Sequence, residues 1–317
     1  MSDTTQENHQ QQHPSLADRL TWTAVSTIAH LPMPLLYATA ALIAGFMHTI
    51  LRYRRAVVRR NLTEAYPDHT PADIRRTERK FYRWMADYFV ETIRLAAMSE
   101  KEMRRRLRVE GIEAVNRSVA DGRSVSLLLG HFGNWEWVSS LPLHITPQAV
   151  CGQIYHRLHS PLADRLFLRL RSRWGARCIR MQDTLRTITA WHRAAQPSVT
   201  GYIADQLPGY SSIHLWLPFL RHDTPVFSGP ERISSMIGAD VYYCRISRPR
   251  RGEYLCTFIP LGNAADATRF DITRRYFSLL QEDIDRTPSM WLWSHRRWKR
   301  TRAEWERRFP AAARRQD

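Results

Sequence analysis

From about residue 122 onward, short apolar runs alternate with helix-like segments, and this alternation limits the possible folds more than any other feature. Runs of four to seven residues that are rich in branched side chains predict β-strands. Helix-like segments such as 161–175 separate the first of these runs, an order typical of an α/β domain with a mostly parallel central sheet flanked by helices. The predicted strands cover residues 124–129, 149–155, 198–204, 240–246 and 254–260.

Residues 70–108 precede this region and are predicted to be helical. Thr70 is a suitable N-cap, with Pro71 at the first helical position and Asp73 in the first turn. A large aromatic face recurs at helical spacing, and such a face belongs to a core more often than to a ligand site. We expect most of it to be core; its members are Phe81, Trp84, Met85, Tyr88 and Phe89.

An apolar segment near the N-terminus predicts a membrane anchor. Residues 31–51 carry no formally charged side chain, and a helix of about 20 residues suffices to cross a bilayer core. A buried core helix is the alternative. The arginine-rich segment 52–60 follows, and a basic cluster beside an apolar helix is typical of a cytoplasmic attachment to anionic lipid. Whether residues 31–51 cross the membrane or lie in its surface is left open.

These features divide the chain into four parts. Residues 1–18 are polar and rich in glutamine, which predicts a disordered tail. Residues 19–62 hold the anchor and its basic segment, 63–300 form the main domain, and 301–317 are a basic C-terminal tail. The four cysteines lack a CxxC pair or a zinc-like spacing, so we expect them to be reduced and expect no metal site.

The net charge of +17 limits the partners of the protein. Such a surface attracts nucleic acid, anionic membranes or acidic proteins. Two arginine-rich runs, 104–108 and 296–308, suit a nucleic-acid-binding protein. The sequence nevertheless lacks a helix-turn-helix, zinc-finger or RNA-recognition signature.

The segment LLLGHFGNWEW, residues 127–137, is the strongest candidate site. His131 follows the predicted strand 124–129, and ligands of open α/β sheets bind at the carboxyl ends of the strands. Gly130 and Gly133 permit a sharp turn there. Asn134 is then a suitable N-cap for a following helix.

His131 and Glu136 are predicted to act together. Five positions on one regular helix separate two side chains by about 140°, so the two meet only if His131 lies in the turn and Glu136 in the first helical turn. Glu136 would then hold one imidazole nitrogen and leave the other free as a base. A purely structural His–Glu pair is the alternative. Because the sequence has no GxSxG elbow, P-loop or HExxH motif, we expect the histidine to activate a substrate hydroxyl directly.

Residues 130–136, GHFGNWE, resemble the H-x4-[D/E] motif of the bacterial lipid A late acyltransferases, the lauroyl/myristoyl acyltransferase family. Four further segments resemble that family in the same order, and together they cover most of the chain. They are RYRRAVVRRNLTEAYPD (52–68), IYHRLHSPLADRLFLRLRSRWG (154–175), ADQLPGYSSIHLWLPFLRHDTPVFSGPERIS (204–234) and PSMWLWSHRRWKR (288–300). His156 departs from the family's usual arginine.

The resemblance implies a fold like that of the glycerolipid acyltransferases and a cofactor-free reaction. A fatty acyl group would pass from acyl carrier protein to a hydroxyl of a lipid A precursor at the cytoplasmic face of the inner membrane. The acidic carrier protein, the phosphorylated precursor and an anionic membrane would be the partners, and nucleic acid would not. Coenzyme A as the donor, or another glycolipid or phospholipid as the acceptor, stays open.

The same resemblance implies roles for individual residues. His131 would be the general base and Glu136 would orient it. Substrate or oxyanion contacts are expected from groups near Gly133 and Asn134 and from an arginine, Arg171 before Arg157. Asp205 and Gln206 end a predicted strand at the same sheet edge, where they either line the site or cap the next loop.

Overall fold

A seven-stranded sheet crosses the part of the chain that the computed structural model describes, residues 15–310. The strands are β1 Leu107–Glu110, β2 Val125–Leu129, β3 Val150–Tyr155, β4 Arg177–Arg180, β5 Ser198–Ile203, β6 Trp216–Phe219, β7 His222–Pro225, β8 Asp240–Arg250 and β9 Glu253–Asn263. The sheet order is β1-β9-β8-β2-β5-β3-β4, and β6 and β7 form a separate hairpin. All pairs in the large sheet are parallel except β8 with β9.

Helices cover the sheet and extend from it toward the N-terminus. The α-helices are α1 Leu16–Ala29, α2 Met33–Gly45, α3 Arg55–Ala65, α4 Pro71–Arg94, α5 Glu100–Arg106, α6 Ile112–Ala120, α7 Pro161–Arg171, α8 Thr184–Arg193, α9 Gly229–Met236, α10 Asp271–Arg286 and α11 Arg302–Arg308. A π-helical turn, Phe46–Ile50, continues α2. Short 3-10 helices cover Trp137–Leu143, Met181–Asp183, Tyr210–Ser212 and Pro288–Met290. The mostly parallel α/β fold predicted from the sequence is therefore confirmed.

All five predicted strands exist, and four others were not predicted. The missed strands β1, β4, β6 and β7 have four residues each. Strands this short show no period-2 pattern, and β1 and β4 also carry charged side chains. The last two predicted strands, β8 and β9, pair as an antiparallel hairpin, which their two-residue connection requires.

The predicted helix 70–108 is two helices with a break. Thr70 caps α4 as expected, and Ser99 caps α5 after a short turn. Four residues of the predicted core face are buried, namely Phe81, Trp84, Met85 and Tyr88. Phe89 is instead 41% exposed. The core prediction therefore holds for four of the five residues.

Parts of both predicted tails are helical in the structure. Residues 1–14 and 311–317 lie outside the described residues. Within the predicted N-terminal tail, Ser15 and Asp18 form a capping box that starts α1. Within the predicted C-terminal tail, α11 buries Trp305 against Trp216. Residues 15–18 and 302–308 thus have regular structure because capping and aromatic packing stabilise them.

The apolar N-terminal segment is a helix with one side against the protein. Residues Met33–Ile50 have a mean hydropathy of 1.5, and 22% of them are buried, so they do not form a core helix. The segment runs antiparallel to α4. Near one end the Tyr37 hydroxyl donates to Glu91 at 2.9 Å, and near the other His48 Nε2 lies 2.9 Å from Glu78 Oε1.

One buried amide ties α3 to the segment that closes the site described below. The Asn61 side chain donates to the carbonyl oxygens of Trp293 and His295 at 2.8 and 2.9 Å. We predict that Asn61→Ala lowers the free energy of unfolding by about 1–3 kcal/mol, because it leaves buried carbonyls unpaired. Thr63→Ala, an exposed change on the same helix, should stay within about 0.5 kcal/mol in the same denaturant titration. An equal effect of both changes would contradict the role of Asn61.

Candidate active site

The pairing of β2 with β5 brings His131 and Asp205 together. These parallel strands are in register at Leu129 and Ile203, and His131 and Asp205 each lie two residues further along. Both side chains therefore emerge at the carboxyl edge of the sheet. The Tyr276 hydroxyl of α10 donates to the Leu129 carbonyl at 2.8 Å and supports the strand end.

Asp205 holds His131 at two points. The His131 backbone N–H donates to Asp205 Oδ2 at 2.9 Å, and the ring Nδ1 lies 2.6 Å from Oδ1. A third donor, Trp291 Nε1, reaches Oδ2 at 2.7 Å. Burial of the Asp205 carboxyl opposes its ionisation, but the charge of His131 and these hydrogen bonds hold its pKa below the ordinary value. The carboxylate can therefore orient the ring and stabilise an imidazolium.

The other ring nitrogen, Nε2, lies beside the Gln206 side chain. Nε2 of His131 lies 3.2 Å from the Gln206 side-chain nitrogen, so the Gln206 amide donates to it when Nδ1 carries the proton. The ring meets Trp135 edge-on at 5.1 Å, and its side chain is 18% exposed. In that tautomer Nε2 is the nitrogen with a free lone pair, which suits it to accept a proton from a substrate hydroxyl.

The structure corrects the predicted partner of His131. Glu136 lies behind the histidine and forms a bidentate ion pair with Arg171 of α7, at 2.8 and 2.6 Å. Trp135 Nε1 and the Tyr88 hydroxyl also donate to Glu136. The expected α-helix after Asn134 is a turn followed by the 3-10 helix, in which Pro142 lacks the N–H that an α-helix needs. That path directs Glu136 toward α7.

The expected oxyanion donors are also engaged elsewhere. The Gly133 N–H donates to the Met290 carbonyl at 3.0 Å. Burial alone would lower the pKa of Arg171, but Glu136 raises it above the ordinary value and occupies the guanidinium. Arg157 is 67% exposed and lies 3.8 Å from Asp164. Of the predicted substrate-contact residues, only Asp205 and Gln206 hydrogen-bond to His131 among residues 15–310.

Asn134 and the two glycines shape the turn. The Asn134 side-chain oxygen Oδ1 accepts from the Trp137 N–H at 3.3 Å, as a cap would, and the side-chain nitrogen Nδ2 donates to Glu91 at 2.9 Å. Gly133 has a φ of +61°, and a Cβ there would lie 2.7 Å from Ile246. A Cβ on Gly130 would lie 2.6 Å from Leu280. The positive φ therefore requires glycine at Gly133, whereas a side chain at Gly130 would have to displace the end of the Leu280 side chain.

A segment far along the chain completes the site. Residues 290–292 run beside 131–133, where Leu292 N–H donates to the His131 carbonyl at 3.2 Å. Arg297 of the same region is fully buried, and burial lowers its pKa to about 10, against the attraction of Asp205. Burial and Arg297 lower the pKa of His295 to about 4, so His295 is neutral at pH 7. The buried Arg297 cation favours the ionised form of Asp205.

Sequence reasoning missed the roles of Trp291, His295 and Arg297. All three belong to the motif-like segment 288–300, so the resemblance marked the segment. No periodicity or spacing indicated that it folds against residues 131–133. Within the described residues, no cluster of three or more histidine, cysteine, aspartate or glutamate side chains has the geometry of a metal site.

The comparison with protein families decides the class. The model for bacterial lipid A biosynthesis acyltransferases matches residues 5–300, nearly the whole chain. The chain belongs to this family. A search of curated proteins finds no match. The protein is accordingly an acyltransferase of the lipid A biosynthesis family, and together with its apolar N-terminal helix the family indicates association with a membrane.

The Glu136–Arg171 pair generates a stability prediction for this acyltransferase. Glu136→Gln leaves the guanidinium of Arg171 buried without a counter-ion, since that side chain is 17% exposed. We expect a loss of about 3–5 kcal/mol in the free energy of unfolding. The double variant Glu136→Gln/Arg171→Met should recover most of it in chemical denaturation, because no charge is then buried alone. A double variant as unstable as the single one would refute this account.

The lowered pKa of Asp205 generates a pH prediction. A carboxyl whose folded-state pKa is below its ordinary value of about 3.9 stabilises the fold above that pH, and the contribution is lost as the pH falls through the folded-state pKa. Asp205→Asn removes this contribution. At pH 7 we expect a deficit of about 1.5–3 kcal/mol, typical of a hydrogen bond to a charged group, which narrows below about pH 4. Unfolding curves measured from pH 7 to pH 3 test this, and a constant deficit would contradict it.

Proposed function

We propose that this acyltransferase transfers a fatty acyl group from acyl carrier protein to a hydroxyl group of a lipid A precursor, with His131 as the general base. The observation that carries the proposal is the arrangement of the imidazole. Its Nδ1 is held by the buried Asp205, while Nε2 lies beside the Gln206 amide on a side chain that is 18% exposed. This arrangement suits removal of a proton from a hydroxyl.

The reaction follows from this arrangement. The acceptor hydroxyl replaces Gln206 at Nε2 and attacks the thioester carbonyl as its proton moves to the imidazole. Asp205 stabilises the imidazolium that forms. The tetrahedral intermediate then collapses to the ester and expels the thiol, which takes the proton back. General-base help of this kind contributes about 10²–10⁴-fold to the rate.

The Gln206 amide is a candidate for the oxyanion donor. It lies 3.2 Å from Nε2, and it is free to turn toward the carbonyl oxygen once the hydroxyl has taken its place. A donor aimed at the developing negative charge lowers the barrier more than it strengthens ground-state binding. The Glu136–Arg171 pair has a structural role in this proposal. Glu136 accepts from Trp135 Nε1, and Trp135 contacts the imidazole, so the pair holds the turn in place.

We further propose that the enzyme works at the cytoplasmic face of the inner membrane with α2 lying in the membrane surface. If α2 crossed the bilayer, the antiparallel α4 would carry charged residues such as Arg79 and Arg83 to the same depth. A charged residue at the bilayer centre costs about 2.5–3.5 kcal/mol. An orientation along the surface leaves the exposed side of α2 in lipid and the charges of α4 at the headgroups. The positive net charge suits an acidic carrier protein and a phosphorylated acceptor.

Acyl transfer measured with purified enzyme tests the proposed function. With acyl carrier protein thioester and a lipid A precursor, His131→Ala should lower kcat/KM by about 10² or more. Asp205→Asn should lower kcat with little change in KM, because it acts on the charge that forms in the transition state. His192→Ala, an exposed histidine on α8, is the matched control.

Each outcome of this assay bears on the proposal. Near-normal transfer by His131→Ala would overturn the general-base role. A larger loss of kcat in the Glu136→Gln/Arg171→Met variant than in Asp205→Asn would mean that Glu136, and not Asp205, orients the imidazole. Faster transfer from coenzyme A, or to a lysophospholipid, would overturn the assigned donor or acceptor.

A further inference from the structure

A groove opens between α2 and α4, beside the tip of the β8–β9 hairpin. Its volume is about 560 Å³, within the range of small-molecule sites. The residues that α2 contributes to the groove are small and apolar, and Ala41 and Gly45 are among them. The α4 side presents Arg79 and Arg83. None of the residues that line the groove belongs to the His131–Asp205 pair.

The two arginines of α4 have charges that the rest of the described chain does not neutralise. Neither forms a hydrogen bond or an ion pair with another residue of 15–310, and both are exposed. The one carboxylate in the groove is already neutralised, because Asp87 pairs with Arg248 at 2.7 Å and with Arg251 at 2.5 Å. The groove therefore has an excess of positive charge beside an apolar wall.

The outer side of α2, and of the π-helical turn that continues it, is exposed and apolar. Leu42 is 76% exposed, Phe46 51% and Ile50 73%. With α2 in the membrane surface, these side chains enter the acyl region while the groove beside them lies at the level of the headgroups. A ligand that suits this surface has an anionic head and apolar tails, and it reaches the groove without leaving the bilayer.

We propose that the groove binds the headgroup of an anionic phospholipid. The guanidinium groups of Arg79 and Arg83 pair with its phosphate, and its acyl chains follow the exposed side of α2. The site would orient the enzyme on the membrane. It is separate from the reacting groups, so the bound phospholipid is neither donor nor acceptor in the proposed reaction.

Native mass spectrometry of the detergent-purified full chain tests this site. With added phosphatidylglycerol we expect one phospholipid per protein, and at least tenfold weaker binding of phosphatidylcholine. Arg79→Gln/Arg83→Gln should weaken phosphatidylglycerol binding at least tenfold. Arg75→Gln/Arg76→Gln is the matched control, because it removes the same charge from the same helix at exposed positions outside the groove.

A second variant tests the shape of the groove without changing its charge. A Cβ built at Gly45 meets no atom within 4 Å, and Gly45 lines the groove, so we expect the side chain of Gly45→Leu to extend into the groove and to favour the helix. It should weaken phosphatidylglycerol binding without lowering the midpoint of thermal unfolding. Normal binding by this variant would overturn a site inside the groove.

The remaining outcomes also decide the proposal. Equal losses in the two arginine pairs would mean diffuse attraction and would overturn a defined site. Displacement of phosphatidylglycerol by a phosphorylated disaccharide lipid would assign the groove to the acceptor instead. Because the readout is binding, failure of the acyl-transfer assay would leave this test unaffected.

Discussion

The parallel register between β2 and β5 is the constraint on which the site depends. It places His131 opposite Asp205 at the same distance beyond the two strand ends. A slip of one residue would turn one of these side chains to the other face of the sheet, because side chains alternate along a strand. The pairing of Leu129 with Ile203 therefore determines which carboxylate meets the histidine.

Buried carboxylates connect this edge of the sheet to the helices around it. Glu91 of α4 accepts from Tyr37 of α2, from Asn134 of the turn that carries His131 and from Tyr254 of β9. Burial raises the pKa of Glu91, against the attraction of Arg248 and these donors. A buried carboxylate needs such partners, so the three elements are held at fixed positions relative to one another. The helix proposed to lie in the membrane thereby contacts the same side chain as the turn that carries His131.

Two buried charges near the reacting group have different consequences. Arg297 lies in the interior and attracts Asp205, which helps the carboxylate that holds the imidazole stay ionised. Arg171 is neutralised by Glu136, so its charge supports the turn behind His131. In the proposed reaction the imidazole is already held by Asp205 and needs little reorientation as the imidazolium forms, while Gln206 turns away to admit the hydroxyl.

The sequence alone determined where five strands lie, that His131 follows one of them, and that the N-terminal helix is apolar. These are local properties, because strand and helix periods and strand-end positions are visible in a short window. Only the tertiary structure decided which acid meets His131. Glu136 is close in sequence but turns toward Arg171, whereas Asp205, 74 positions away, is brought to the ring by strand pairing. The segment that contains Trp291 and Arg297 reaches the site in the same way, since contacts between distant segments depend on packing that no local pattern contains.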